Sequence, residues 1–461
     1  MKIRKILIRI GVGLLIFIGV VLAARAVLNF TEGRALAKTL ADLKARGIPL
    51  TAKDLAPPCA DEDNGARLLT AFENITTIPG RQRSTPGQPA RKNKATNLRG
   101  LIGRSWNDFT AGKPISPADR AELKEAIAQN AKAFDLLAEM VEKPCFLYRD
   151  PADSLVSSLI PNPIQALDAA RLLFFSSLFR AEDGDVRGAV DRLVTGLKFG
   201  SVMAREGTLI SYLVSVAESR TVAQFLGEIC RGRAVHDEDT ARLAAALDPD
   251  PWRDRLAASF RGERVLFIEF GDEVLRADLG DVGSIWEGPR WWEEFGLWLF
   301  RPLVKRDMRR SLPSYEWLET QAKIPYYQSR EALQARDVKP QNRPWYAVLS
   351  KTMLPESESA SLKTAQIEAI MLANRAGLAC RLYKSRAGRY PETLDALVPG
   401  LLSEVPIDPF TGKPLVYRRQ GEGFIVYSLG SNQKDDGGRM TYMITQLIMD
   451  KDDDWSWRED R

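Results

Sequence analysis

Histidine and cysteine are the residues best suited to catalysis or metal binding, and this chain uses them sparingly. Its single histidine, His236, lies in the polar run "RGRAVHDEDT" and reads as a solvated residue at a helix start. Histidine is the commonest imidazole ligand, so one chain cannot build a multi-histidine metal site. Cys59, Cys145, Cys230 and Cys380 are far apart and form no CxxC pair, which excludes a zinc ribbon or a thioredoxin-type motif. Cys230 and Cys380 fall in apolar helical stretches and read as buried thiols. Cys59 can pair with Cys145 in an oxidising compartment, but spacing alone does not choose among the full connectivities. The adjacent acids Glu293 and Glu294 face different directions on a helix, so they do not form a glycosidase-like carboxylate pair.

The elements that would have to position such groups begin with a long apolar helix. In "MKIRKILIRIGVGLLIFIGVVLAARAVLNF" no charge interrupts the run between Arg9 and Arg25. With the arginines snorkelling, Ile6 to Leu28 is long enough to cross a hydrocarbon core of about 30 Å. Lys2, Arg4, Lys5 and Arg9 crowd the leading end, which favours a cytoplasmic N-terminus and a single-pass inner-membrane protein with its bulk in the periplasm. "ARA" at Ala24 to Ala26 offers a signal-peptidase alternative. Against cleavage, the run continues into an amphipathic helix with Leu36, Leu40 and Leu43 on one face and Gly47 as its stop.

The remainder has the composition of a folded protein, 45% hydrophobic and 27% charged. Its 65 basic and 60 acidic residues leave a net charge of only +5, so no general nucleic-acid site is implied. We divide the chain into a transmembrane signal-anchor (1–30), an α-helical domain (31–355) and a small α+β unit (356–445) with an acidic tail (446–461). The segment 76–100 reads as a solvated basic loop. Ser116, Pro117 and Asp119 open a helix with Leu123, Ile127, Phe134 and Leu137 at helical spacing. A hairpin turns at "EDGD", with small Ala189 at its crossing, and a further helix runs from Leu209 to Cys230. The hairpin resembles a tetratricopeptide unit but does not recur at a fixed period, so we read an irregular helical-hairpin domain.

"SIWEGPRWWEEFGLWLFRPLVKRDMRR" holds Trp286, Trp291, Trp292 and Trp298, then Lys305, Arg306, Arg309 and Arg310. Trp291, Trp292, Trp298 and these four cations are membrane-interface candidates, aromatics at headgroup depth and cations against anionic lipid. The interleaved Glu287, Glu293 and Glu294 favour the other reading, tryptophans filling gaps between helices.

After Pro355 a long helix with a broad apolar face ends at Gly388. Pro391 opens a short helix with Leu394, Leu397 and Val398 inward, and "PLVYRR" and "GFIVYSLG" form a hairpin across "QGEG". "MTYMI" is a candidate third strand. This order, with "GRYPETLDALV", "VPIDPFTGKPLVY", "FIVYSLGSN" and a terminal acidic loop, resembles the globular half of the type II secretion major pseudopilins over Ala360 to Arg439. The resemblance implies a helix packed on a small antiparallel sheet, with calcium steadying the last loop. On that pattern the Leu429 carbonyl, Ser431, Asn432, Asp435 and Asp436 are the calcium candidates, and Asp408 initiates a turn. The chain departs from the family at its start: no pseudopilin leader precedes the apolar run, whose first acid is Glu32. The chain as a whole also looks like large anchored, exported bacterial proteins that join "ADLKARGIPLTAKDLAPP" to this ending, a resemblance that implies no activity.

Three functions are consistent with these features. The first is a membrane-anchored extracytoplasmic scaffold, bound to the bilayer and to an envelope protein partner. The second is an exported hydrolase using carboxylates alone on envelope glycans, although no catalytic residue can be singled out. The third is a lipid-proximal, sensor-like protein.

Overall fold

The computed structural model describes residues 2–56, 59–68, 98–148, 154–156, 163–247, 251–276, 290–336, 343–438 and 455–458. Most of the basic loop 76–100, Trp286 and "MTYMI" therefore lie outside the described residues.

The apolar run and the amphipathic segment form one unbroken helix, α1 (Lys2–Ala45). It is long and apolar enough to cross a membrane. From Arg9 its apolar stretch is bare, with Leu15, Ile16 and Phe17 all at least 63% exposed, whereas Leu36 and Leu43 are buried further on. Gly47 stops it with a left-handed φ of 71°, which glycine adopts without steric cost.

Short α2 (Ala52–Leu55) follows, capped by Thr51. Cys59 and Cys145 are joined by a disulfide, so the pairing left open by spacing is settled. Asn64 fastens the same junction, exchanging hydrogen bonds of 2.9 Å with both backbone groups of Leu147. Helices α3 (Leu98–Thr110), α4 (Pro117–Gln129) and α5 (Ala131–Met140) come next. Ser116 caps α4 as its sequence predicts.

The hairpin is α6 (Pro163–Glu182) and α7 (Val186–Met203), with Asp185 capping α7 through Gly188. Ala189 is fully buried and its carbonyl accepts from the Ser177 hydroxyl. The expected helix from Leu209 to Cys230 is broken into α8 (Leu209–Ala223) and α9 (Leu226–Cys230). Then come α10 (Asp237–Ala246), α11 (Pro251–Arg276), α12 (Arg290–Ala322), α13 (Tyr326–Arg336) and α14 (Val348–Met353). His236 stands at the N-terminus of α10 without making a side-chain cap.

Helix α15 (Ser357–Ala387) ends at left-handed Gly388 and is buried along most of its length. Strands β1 (Val416–Gln420), β2 (Gly423–Ser428) and β3 (Trp455–Arg458) form an antiparallel sheet in the order β1-β2-β3. Gln420 pairs with Gly423 across a two-residue turn, as "QGEG" predicts. The third described strand lies in the acidic tail, where Trp457 is buried. Leu394 and Leu397, on a 3-10 turn, point inward as expected.

Of the three apolar clusters among the described residues, one is a small contact of Ala52, Leu155 and Val265, and the other two organise the fold. The larger is continuous from α3 to the sheet, including Trp106, Phe174, Leu193, Ile370, Phe424 and Trp457. Helix α15 is thus at once the helix under the sheet and the central helix of the body, and no break in packing marks residue 356. The smaller cluster joins α1, α11, α12 and α14 through Leu36, Leu43, Phe267, Met308, Leu312 and Leu349.

Candidate functional site

The distinctive polar geometry of the chain lies where the bare half of α1 meets the body. Pro302 sits inside α12. Lacking an N–H, it cannot bond the carbonyl four residues back, which is that of Trp298. Arg25 takes over that oxygen, donating from Nη2 at 2.6 Å and Nε at 3.1 Å. The same guanidinium lies 3.5 Å from the centroid of the Trp298 indole, a cation–π contact.

One and two turns along α1, the Lys305 ammonium donates to Asn29 Oδ1 at 2.8 Å, and Glu32 accepts from Arg306 at 2.6 Å and Arg309 at 3.0 Å. Beyond these, Arg46 forks onto Glu316 with two bonds of 2.8 Å. The pairs ascend together in both helices, so α1 and α12 run parallel. Residues 290–297, about 12 Å of helix, therefore lie on the apolar-run side of the Arg25–Trp298 contact.

Of the interface candidates, Trp298 is half-buried under Arg25, while Lys305, Arg306 and Arg309 point at α1. Arg310 donates to the Tyr346 hydroxyl at 2.7 Å. The side chains of Trp291 and Trp292 lie outside the described residues. Around the seam, Phe30, Phe300 and Trp345 are exposed at 67%, 46% and 71%, and the last two meet edge to face. Sequence reading overlooked Arg25, Asn29 and Glu32 as partners. Their 4- and 3-residue spacing, one polar stripe on an otherwise apolar helix, was the available signal.

The C-terminal loop is built on Asp408. This buried carboxylate accepts from Phe410 N at 2.9 Å, Ser428 Oγ at 2.9 Å and Leu429 N at 3.0 Å, which makes it the turn residue expected. Among the calcium candidates, Asp435 accepts from Tyr427 Oη at 2.7 Å, from Gly437 N at 3.0 Å and from Arg418. The Tyr427 hydroxyl, more than the nearby Arg418 charge, holds the Asp435 carboxyl below the usual range. Asn432 donates to Asp436 at 2.9 Å and accepts from Lys434 N. Both oxygens of Asp435 and one of Asp436 are thus already hydrogen-bond acceptors. Among the described residues no group of three or more His, Cys, Asp or Glu is gathered as a metal site.

Among the described residues, Glu218, Glu263 and Asp168 are acids whose charged form burial penalises. Glu218 is fully buried and neither carboxylate oxygen has a hydrogen-bond partner; burial pushes its pKa well above the usual range. Burial likewise raises Glu263, against the backbone N–H of Leu209, and Asp168, against Arg171 and Arg99. A cavity of about 270 Å³ between the body and the C-terminal unit is lined by neither Glu218, Glu263 nor Asp168. Its buried acid, Glu368, is held by Arg253 at 2.8 Å. Compared with known proteins, the chain matches no family model, no curated protein and no solved structure.

Proposed function

We propose that this chain is a membrane-anchored extracytoplasmic scaffold, a helical body held against the inner membrane by α1 and presenting its surfaces to an envelope or secretion-type assembly. The observation that carries this reading is the continuity of α1. The bare apolar half passes without a break into a half packed on α12 and fastened by the Glu32 ion pairs. A removable leader needs no such fastening to the mature body. The basic residues ahead of the run favour a cytoplasmic N-terminus, and the Cys59–Cys145 disulfide agrees with an oxidising space for the body. The pseudopilin-like order of helix, hairpin and acidic loop supports the link to a secretion-type assembly, with calcium as an optional loop ligand.

The test is isolation of the full chain from native membranes after cross-linking in intact cells. A stoichiometric envelope protein should be recovered, and a protease added to spheroplasts should cut the body while it remains alkali-resistant in the membrane. A body shielded from that protease, or a chain recovered with no envelope partner, overturns the proposal.

A further inference from the structure

We infer that Arg25, Arg301 and Lys305, gathered beside the Arg25–Trp298 contact, form a binding site for the phosphate of an anionic phospholipid in the leaflet nearest the body. The inference rests on the anchored reading of α1 and deepens it.

The first argument is position. Arg25 ends the uncharged run that began after Arg9, so its guanidinium stands at headgroup depth if the run spans the bilayer. The exposed rings of Phe30 and Phe300 lie within a few residues of it or of its partner Trp298, and Trp345 touches Phe300. In water such rings are a liability, whereas at a membrane interface they are favoured.

The second argument is uncompensated charge. Glu32, three residues past Asn29 on α1, is committed to Arg306 and Arg309. Among the described residues, Arg25, Arg301 and Lys305 form no ion pair. Lys305 has only the neutral Asn29 oxygen, and Arg301 Nε is buried without a hydrogen-bond partner. Burial lowers the pKa of Lys305, and the charges of Arg301 and Arg25 lower it further, so the three cations repel one another. A phosphodiester would relieve that repulsion and accept the free guanidinium donors. The Arg25 contact with Trp298 fixes one wall of the site in advance.

The experiment uses the full chain in nanodiscs of phosphatidylcholine, alone or mixed with phosphatidylglycerol. Wild type should melt higher in the mixed discs and retain phosphatidylglycerol over phosphatidylcholine in native mass spectrometry. Arg301→Gln with Lys305→Gln should abolish the melting difference and weaken retention roughly fivefold per cation removed. Equal melting of wild type in the two discs overturns the site. So does a double variant that keeps the difference, or glycerol phosphate reproducing the shift in phosphatidylcholine discs. If the double variant unfolds in both discs, wild-type retention decides, and equal retention of the two lipids refutes the inference. Alkaline extraction separates the two readings. A chain stripped from membranes by carbonate sinks the anchor, whereas an embedded chain without lipid preference sinks only this site.

Discussion

Trp457 packs directly against Gly377: a Cβ built on that glycine would overlap the indole. The contact joins the last described strand to the central helix of the body, 80 residues apart in sequence (457 − 377). Gly377→Ala should therefore force the ring out of its seat and cost about 1–3 kcal/mol. Gly227, also beside the ring, leaves 3.7 Å for a Cβ and should accept alanine with little change. Urea melts of both variants check the pair; a Gly377→Ala midpoint equal to wild type would show that the tail does not contribute to stability.

Glu218 should make the protein less stable as pH rises. Its folded pKa lies well above the ordinary carboxylate range because burial penalises the charged form. Between the unfolded pKa, about 4.3, and the raised folded value, the folded state binds more protons than the unfolded one. Stability thus falls with pH across that window. Glu218→Gln carries no such titration and should be more stable than wild type at pH 8, with the advantage shrinking toward pH 4. Urea midpoints of the two proteins at several pH values give the answer, and parallel curves would contradict it.

Asp408 anchors both sides of the C-terminal loop through its bonds to Phe410, Ser428 and Leu429. Asp408→Ala leaves those buried donors without an acceptor and should cost about 2–4 kcal/mol. Hydrogen exchange should rise at Leu429 and Phe410 before it rises in α15. An exchange pattern unchanged at these two amides would deny Asp408 this role.

Calcium, if the loop takes it, competes with Arg418 for Asp435. Adding calcium to the full chain should raise its melting temperature, and Arg418→Gln should enlarge that rise by freeing the carboxylate. Asp435→Ala with Asp436→Ala should abolish it. No response to calcium in either wild type or Arg418→Gln eliminates the ion.

Local grammar was legible from the sequence. The Ser116 cap, the "EDGD" turn, the Gly47 and Gly388 stops and the Gly421–Glu422 hairpin turn depend on neighbours within four residues, and all are present. The candidate sites were legible only in part. Arg306 and Arg309 were identified as noteworthy cations, but their partner Glu32 lies more than 270 residues away and no periodicity links the two helices. The same holds for Trp457, whose strand falls in a segment that composition marks as an acidic tail. The role of α15 was underread because its apolar face is broad enough to serve both the sheet and the body, and a sequence pattern does not say how many neighbours a face has.

The uninterrupted helix from Lys2 to Ala45 has a mechanical consequence. A tethered domain usually swivels on a loop, but here the apolar half and the body share one rod, braced by α12 along its upper half. Any lean of the rod in the bilayer becomes an equal lean of the whole body. With α1 embedded as proposed, a thinner membrane that tilts it would thus swing the C-terminal sheet through an arc, turning bilayer thickness into the direction in which the body points.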